Sequence, residues 1–543
     1  MGKYKPITLP QLPNEVTRNA KKTRLCAYSV ALEGWRRGLK LKWYTKDSEH
    51  FQNMTVFGVN PPGRLYSLSS DTKTHYFFRS RGDKVTNEAV EIGSEKDDTK
   101  IWLEKANVPV PKGKGFEADA TDEEIFEYCK ALGYPLVLKP TNGSLGNGVV
   151  TDINSDEDLR KAIQYVRYEL EYKEVIAEQF VAGKEYRVYV VGDQVIAAYN
   201  RVPANITGDG KHTIEQLIRL KNNQRKKNAR LYSCLIEIDK EIFDFIQAAG
   251  YTFESVPPKG KQIFLRQKTN VSSGGDPIDV TDEMPDKYKQ VAINALKAVP
   301  GLDHGGVDII INEDSGLAVV IELNPTAQIG GALYPLEGKS RNIPAAIIDY
   351  YFPETKGIDT SNSKFYFDLP TVLEPLENRS AVEVEVKAYP KGEMYAKKYI
   401  VSGNVLRQSY HRWLKNQALD YNLHGHIKKL VNNDIEILIA GTNKNEVDKF
   451  KAIIKGSPNA TVTNIKEKNW TRPVKVGFEV SEVVKVSNLN SVSTALKSVE
   501  KELKRLTKRK ERVEKENRKI VASTSWRFTV PIRNVGSLIK KKS

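Results

Sequence analysis

The chain has 543 residues, which at ~100–200 residues per domain allows about three domains. Its 40% hydrophobic and 28% charged content supports large cores and excludes wholesale disorder, a collagen-like fibre or a small disulfide scaffold. The formal net charge is +16, but residues 485–543 hold 17 Lys/Arg against 5 Asp/Glu, which leaves +4 for the first 484 residues. The charge excess therefore belongs to the end of the chain and not to its body. No run reaches the ~18 apolar residues of a spanning helix, and the opening MGKYKPITLPQLPN lacks the apolar segment of a signal peptide. Cys26, Cys129 and Cys234 are far apart and odd in number, which fits a reducing, cytoplasmic setting and no thiolate metal site.

Residues 1–96 read as a small α/β cap. The spacing predicts a helix over Lys21–Lys40, then strands at LKWY and TVFGV. Residues 97–355 read as an α/β or α+β body. They open on a helix, DDTKIWLEKA, stopped by the prolines of VPVPKG. PLVLKP, GVVTDI, VIAEQF, YRVYVVG and QVIAAYNRV follow as strand candidates, and GVDIIIN and AVVIELNP pair across the turn EDSG. Residues 356–380 are polar and read as a linker, and QRKKNAR (224–230) as a solvated loop. Residues 381–482 carry strands VEVEVKAY, AKKYIVSG, DIEILIAG and VKVGFEV, with helices near 410–421 and 445–455. Two βαβ-like halves in ~100 residues predict a ferredoxin-like sandwich. Over 488–520, Leu489, Val492, Leu496, Val499, Leu503, Leu506, Val513 and Ile520 keep a 3/4 spacing that predicts a short coiled coil. Residues 521–543 set Trp526, Phe528, Ile532, Leu538 and Ile539 among Lys and Arg, the composition of an interfacial segment on anionic lipid. No aromatic-rich RNA-binding motif is present, so nucleic acid is not an expected partner.

Three elements point to nucleotide chemistry. Lys139 ends a strand and is followed by Gly143, Gly146 and Gly148, a lysine with a loop whose backbone N–H groups can approach phosphate. Asp308, Glu322 and Asn324 lie on two adjacent strand candidates. Glu322 and Asn324 are two apart and share a face, and the three supply hard oxygen ligands suited to Mg2+ bridging ATP phosphates. Glu178 to Val181 form an extended hinge whose backbone can pair with an adenine edge, and Glu185 follows as an acceptor for ribose hydroxyls.

In this order, over residues 97–353, these elements resemble the ATP-grasp carboxylate–amine ligases. The likeness is to the ligase region of bifunctional glutathione synthetases and of cyanophycin synthetases, through stretches such as AGKEYRVYVVGDQVIAAYNRVPANITGDGKHTIEQLI and FLRQKTNVSSGGDPIDVTDEMP. The resemblance implies an ATP-grasp fold and assigns Lys100 and Lys139 to the phosphates. It assigns Glu178, Phe180 and Val181 to adenine, Glu185 to ribose, and Asp308, Glu322 and Asn324 to Mg2+. It places Arg266 and Arg201 on the transferring phosphoryl group, with Asn270, Ser273 and Gly274 lining the same region. The implied reaction activates a small-molecule or peptide carboxylate as an acyl phosphate and couples it to an amine, as in cell-envelope or peptide biosynthesis. The glutamate–cysteine ligase half of the glutathione enzymes and the Mur-ligase-like half of cyanophycin synthetases have no counterpart here, so the substrates do not carry over.

Residues 381–482 also resemble acylphosphatase. On that alignment the phosphate cradle reads Gly403–Tyr410, the arginine position falls on His411 and the asparagine position on Lys429, with Arg407 or Arg412 left to substitute. A non-catalytic unit is expected, and acyl phosphate hydrolysis is the alternative activity. His424 and His426 are expected to face solvent. The S-x-S-W-R-x-T-x-P-x-R stretch at the C-terminus is similar to tails of bacterial surface-polysaccharide enzymes. It implies contact with the inner membrane surface, while the coiled coil implies self-association.

Overall fold

The computed structural model describes residues 6–141 and 148–481; Gly143, Gly146, the predicted coiled coil and the C-terminal tail lie outside the described residues. A single turn α1 (Asn14–Thr17) leads into α2 (Thr23–Arg36), whose residues from Leu25 to Arg36 are all buried. A helix with no polar face must be enclosed. It lies between a sheet formed by β1 (Lys40–Tyr44), β2 (Leu65–Ser69), β3 (Thr74–Phe78) and β4 (Arg81–Gly82), and later helices. TVFGV, expected as a strand, is not one: the chain there is loop, and β2 begins at Leu65. Helices α3 (Asn87–Ser94) and α4 (Lys96–Lys105) then lead into the body.

The body holds two antiparallel sheets. The first is built from β5 (Gly113–Phe116), β6 (Leu136–Pro140), β7 (Val150–Ile153) and β8 (Val175–Gln179) in the order β5-β8-β6-β7, backed by α5 (Asp122–Leu132) and α6 (Asp156–Ile163). The second contains β9 (Lys184–Val191) and β10 (Gln194–Val202). Between β10 and its later strands the chain makes a separate lobe of β11 (Asn205–Thr207), α7 (Ile214–Arg225), α8 (Lys240–Ala248) and β12 (Gln262–Phe264), closed by its own apolar core. The sheet is completed by β13 (Asp276–Asp279), β14 (His304–Asn312) and β15 (Leu317–Asn324), with α9 (Asp286–Lys297) on one face; the order is β13-β10-β9-β14-β15. Strand β9 divides its side chains by period two. Tyr186, Val188 and Val190 enter the core against α9. Tyr189 and Val191 enter the core around α2, and Glu185 and Arg187, of the same parity, are left for an open face.

QRKKNAR is not wholly solvated: Arg225 ends α7 fully buried, with Nη1 2.6 Å from Asp276 and further hydrogen bonds to the carbonyls of Cys234 and Gly275, and Arg230 is buried beside the Cys234 sulfur.

After a turn α10 (Gly330–Leu333) and α11 (Ile343–Tyr351), which packs on α2, the residues expected as a linker prove to be structural. They form β16 (Phe365–Tyr366) and α12 (Leu369–Glu377), which Asp368 caps through the Thr371 N–H. Leu369, Leu373 and Leu376 recur at helical spacing and are buried with Phe365 and Phe367 in the core around α2. VEVEVKAY supplies only β17 (Glu383–Glu385), which pairs antiparallel with β1 and forms the edge of the N-terminal sheet. The ferredoxin-like unit therefore begins at β18 (Tyr395–Asn404). It continues through α13 (Gln408–Asp420), β19 (His424–Lys429), β20 (Ile435–Gly441), α14 (Lys444–Lys455), β21 (Thr461–Asn469), β22 (Val474–Lys475) and β23 (Phe478–Ser481). Its sheet order is β21-β18-β20-β19-β23, and β22 pairs parallel with β16. His424 is buried, not solvent-facing. Its ring meets Phe365 edge-on at 5.3 Å, and burial, helped by Lys387, pushes it down to about 4. No helix among the described residues is long and apolar enough to cross a membrane.

Candidate functional site

The open face of the second sheet is set by register. Glu322 on β15, Asp308 on β14, Arg187 on β9 and Tyr199 on β10 stand opposite one another in a row. A bulge makes this possible. Asp308 faces Glu322 but the next residue, Ile309, faces Val320, so Ile321 is an extra residue in β15. Without it Glu322 would share the face of Val320, which is in the core against α9. With it, Glu322 joins Asp308 on the open face, and Asn324 follows opposite Gly306.

Asp308 is 1% exposed, a position where a carboxylate needs compensation. Arg187 supplies it through two hydrogen bonds, Nη2 to Oδ2 at 2.7 Å and a short one from Nε, and Arg201 adds a third from Nη1 to Oδ2 at 2.8 Å. Burial alone would raise the carboxyl; the two guanidinium groups outweigh it and hold Asp308 below its ordinary value. Arg201 also meets Glu185 at 2.8 Å, and Glu185 accepts a short bond from the Thr269 hydroxyl. Among the described residues Glu322 accepts no hydrogen bond and forms no ion pair. Its side chain opens to the cleft, yet protein crowds it enough that desolvation, then Asp308, raises its carboxyl above the usual range. The Asn324 amide nitrogen is buried without a partner among the described residues. Two carboxylates and an amide, with one carboxylate free and the amide short of a bond, fit a hard cation such as Mg2+ that keeps waters and phosphate oxygens.

The first sheet contributes the lysines. Lys139 on β6 and Lys100 on α4 are both buried and both turn to Glu178 on β8, at 2.5 and 3.5 Å. The Glu178 backbone pairs with Gly113 on one side and Val137 on the other, so this residue is strand and not hinge. The hinge starts at Phe180, whose N–H donates to the Pro135 carbonyl, and continues through Val181; both are half-buried. Beside the lysines, the carboxylate of Asp97 packs over Gly115, where a Cβ would lie 2.1 Å from it and the carboxylate would have to shift. Burial, then Glu178, raises the Asp97 carboxyl. Lys96, absent from the sequence reading, donates to the Thr141 carbonyl at 2.9 Å; burial lowers its ammonium, opposed by attraction to Glu322.

Arg266 is placed differently from expectation. It pairs with Asp239 at 2.7 Å and Glu241 at 2.5 Å at the start of α8, and its Nε is buried without a partner among the described residues. Asn270 opens a tight turn, its carbonyl accepting from the N–H groups of Ser273 and Gly275, and Gly274 takes φ +102°. Gln267 and Thr269 of the same segment bond to Thr151 on β7 and to Glu185 on β9, so it bridges the two sheets. Gly148 sits against Pro140 at the exit of β6. Arg187 is the functional-face residue that the sequence reading missed; its signal was the parity it shares with Glu185 in EYRVYVV. A separate cavity of about 660 Å3, lined by Val191, Asp193, Lys297, Asp303 and Tyr350 among others, opens at the far end of β9 and gathers none of these residues.

Residues 94–212 match the model of the RimK-like ATP-grasp domain. The chain carries an ATP-grasp domain. Residues 397–480 match the acylphosphatase model, in accord with the strand order of the second unit. Cyanophycin synthetase from Trichormus variabilis is 34% identical over 278 residues, 50% of this chain and 30% of that one. The glutathione biosynthesis bifunctional protein GshAB from Clostridium perfringens is 34% identical over 299 residues, 53% of this chain and 37% of that one. A crystal structure of a bifunctional glutathione synthetase from Pasteurella multocida is 29% identical, with TM-score 0.43, covering 54% of this chain and 40% of that one. The chain thus spans about a third of the length of the curated relatives it matches.

In the acylphosphatase-like unit His411 does not reach outward as a cradle arginine would: its Nε2 bonds to the Val405 carbonyl at 2.8 Å, inside the loop itself. Arg407 and Arg412 are exposed and Lys429 is half-buried.

Proposed function

We propose that the ATP-grasp body is an ATP- and Mg2+-dependent carboxylate–amine ligase that forms an amide or peptide bond with release of ADP and phosphate. The observation that carries this is the in-register row of Glu322, Asp308 and Arg187 on one sheet, set with the Lys100–Glu178–Lys139 triad on the other. Asp308, Glu322 and Asn324 would hold the metal, which supplies charge neutralisation along the phosphates. Lys100 and Lys139 bind phosphate oxygens as Glu178 yields them. Phe180 and Val181 offer the hinge to adenine. Glu185 reaches ribose hydroxyls through the oxygen it now shares with Thr269. Arg187 and Arg201 would stabilise the charge that builds on the transferring phosphoryl group as a substrate carboxylate attacks. The acyl phosphate then meets the amine, and the site must exclude water or the intermediate hydrolyses. The substrates are small-molecule or peptide carboxylates and amines. The predicted coiled coil would join copies of the chain, and the basic tail would rest on the inner membrane surface.

The test is ADP release with panels of amino acid and amine pairs. Coupled release that Lys139→Ala and Asp308→Ala abolish supports the reading. If no pair couples and both variants bind ATP as the natural chain does, it fails.

A further inference from the structure

The acylphosphatase-like unit has two distinct ends. Its sheet meets the body at the end where His424, Ala440 and Ala396 stand in register, and there Ala396, Leu438 and Ala440 are buried with Phe365 and Trp470 packs beside them. The opposite end is marked by Val401, Ile435 and Lys429 in register. The topology brings four things to that outer end: the loop from β18 to α13 with Arg407, the β19–β20 hairpin, the end of α14 with Lys455, and the last residue of β23. Ser481 lies opposite Lys428 because β23 runs parallel to β19.

The outer end is mainly basic, with Asp434 in the hairpin, held by the Asn432 amide, as its carboxylate. Arg407, Lys428 and Lys455 are exposed and Lys429 half-buried, and none of the four forms an ion pair among the described residues. The unit's paired cations, Lys397, Lys398, Lys444, Lys449 and Lys451, find carboxylates elsewhere on it. The tip of the hairpin carries Val431, 91% exposed, directly after Lys428-Lys429-Leu430. From this same end the chain continues into the remaining residues, whose 485–543 portion holds the 17 Lys/Arg against 5 Asp/Glu.

We infer that the outer end of this unit is a docking surface for an anionic phospholipid bilayer, with Lys428, Lys429, Lys455 and Arg407 against the headgroups and Val431 inserted at the interface. An aliphatic tip directly after a pair of lysines favours lipid over nucleic acid, since stacking on bases needs aromatic rings, and no exposed aromatic side chain lies on the β19–β20 hairpin. Cations near an anionic leaflet attract it within a Debye length, and a second basic segment leaving from the same place adds to the attachment. The inference does not depend on the ligase activity.

The experiment uses the full chain and sedimentation with vesicles of phosphatidylglycerol and phosphatidylcholine, beside vesicles of phosphatidylcholine alone. The full chain is expected to bind the anionic vesicles, and the Lys428→Ala, Lys429→Ala, Lys455→Ala triple variant to bind them on the order of 100-fold more weakly, from about fivefold per cation. Val431→Asp should weaken binding with the melting temperature unchanged. The variants leave the tail intact, so a tail that binds by itself is distinguished: equal binding by the triple variant and the natural chain overturns the inference. Equal binding to neutral vesicles overturns it too, as does loss of duplex RNA binding, but not of vesicle binding, in the triple variant.

Discussion

The pairing of Asp308 with Arg187 can be put to a quantitative test. Asp308 is 1% exposed, the Arg187 side chain 13% and that of Arg201 10%, so solvent screens them little. Arg201 keeps Glu185 if Asp308 is removed, but Arg187 keeps no ion-pair partner among the described residues, only the longer-range attraction of Glu322. Asp308→Asn therefore strands a desolvated guanidinium. Arg187→Met leaves Asp308 on Arg201 alone. Breaking one side of such a pair costs ~3–5 kcal/mol. For an independently melting unit of 150–250 residues this lowers the midpoint by roughly 10 °C. The double variant Arg187→Met, Asp308→Leu removes both charges and should recover at least ~1–2 kcal/mol relative to the sum of the single changes. The assay is thermal melting of the full chain without nucleotide or metal, read as a double-mutant cycle. The sign with pH is fixed by the depressed carboxyl: the Asp308 contribution is present above its unfolded value near ~4 and disappears as pH falls through the lower folded value. Singles within 1 kcal/mol of the natural chain, or fully additive effects, would refute the reasoning.

Other outcomes follow from other parts of the molecule. His304, fully buried between the hydroxyls of Tyr189 and Tyr351, is pushed down to about 3 by burial and then by Arg81; it stays neutral in the fold, so stability should fall as pH drops from ~6.5 toward 3, by up to ~1.4 kcal/mol per pH unit, and His304→Phe should flatten that slope in acid melts. Leu373→Ala, in the segment that looked like a linker, should cost ~2–5 kcal/mol in denaturant unfolding, whereas a true linker would register almost nothing. Benzoyl phosphate should not be hydrolysed by the chain, because His411 is turned to Val405; turnover that survives Lys139→Ala but not His411→Ala would contradict this.

The chemistry was easier to read in the sequence than its setting. Asp308 and Glu322 stand out because carboxylates are costly inside apolar strands, and Lys139 stands out at the end of one. The bulge at Ile321 that brings the two carboxylates to one face has no glycine or proline to announce it, and Arg187 gains its meaning only when β14 pairs beside β9. Segment 356–380 reads as a linker for a compositional reason: its polar average hides the Asp-Leu-Pro helix start and the two leucines that follow Leu369 at helical spacing. Arg225 and His424 fail the rule that charged loops and polar histidines face water. Asp276 and backbone carbonyls enclose one, and Phe365 covers the other.

The strand β17 has a consequence for biogenesis. The N-terminal sheet takes its last strand from residues 383–385, and Trp35 and Trp43 pack on Phe367, so this sheet stays open until nearly 390 residues have left the ribosome. The first sheet of the ATP-grasp body, by contrast, has a core drawn from its own stretch of chain, Phe116 to Ala177, and can fold during synthesis. The first part made is thus among the last completed. An expressed fragment ending before residue 369 should carry an exposed edge on β1 and the uncovered apolar bed of α12, a surface that invites aggregation.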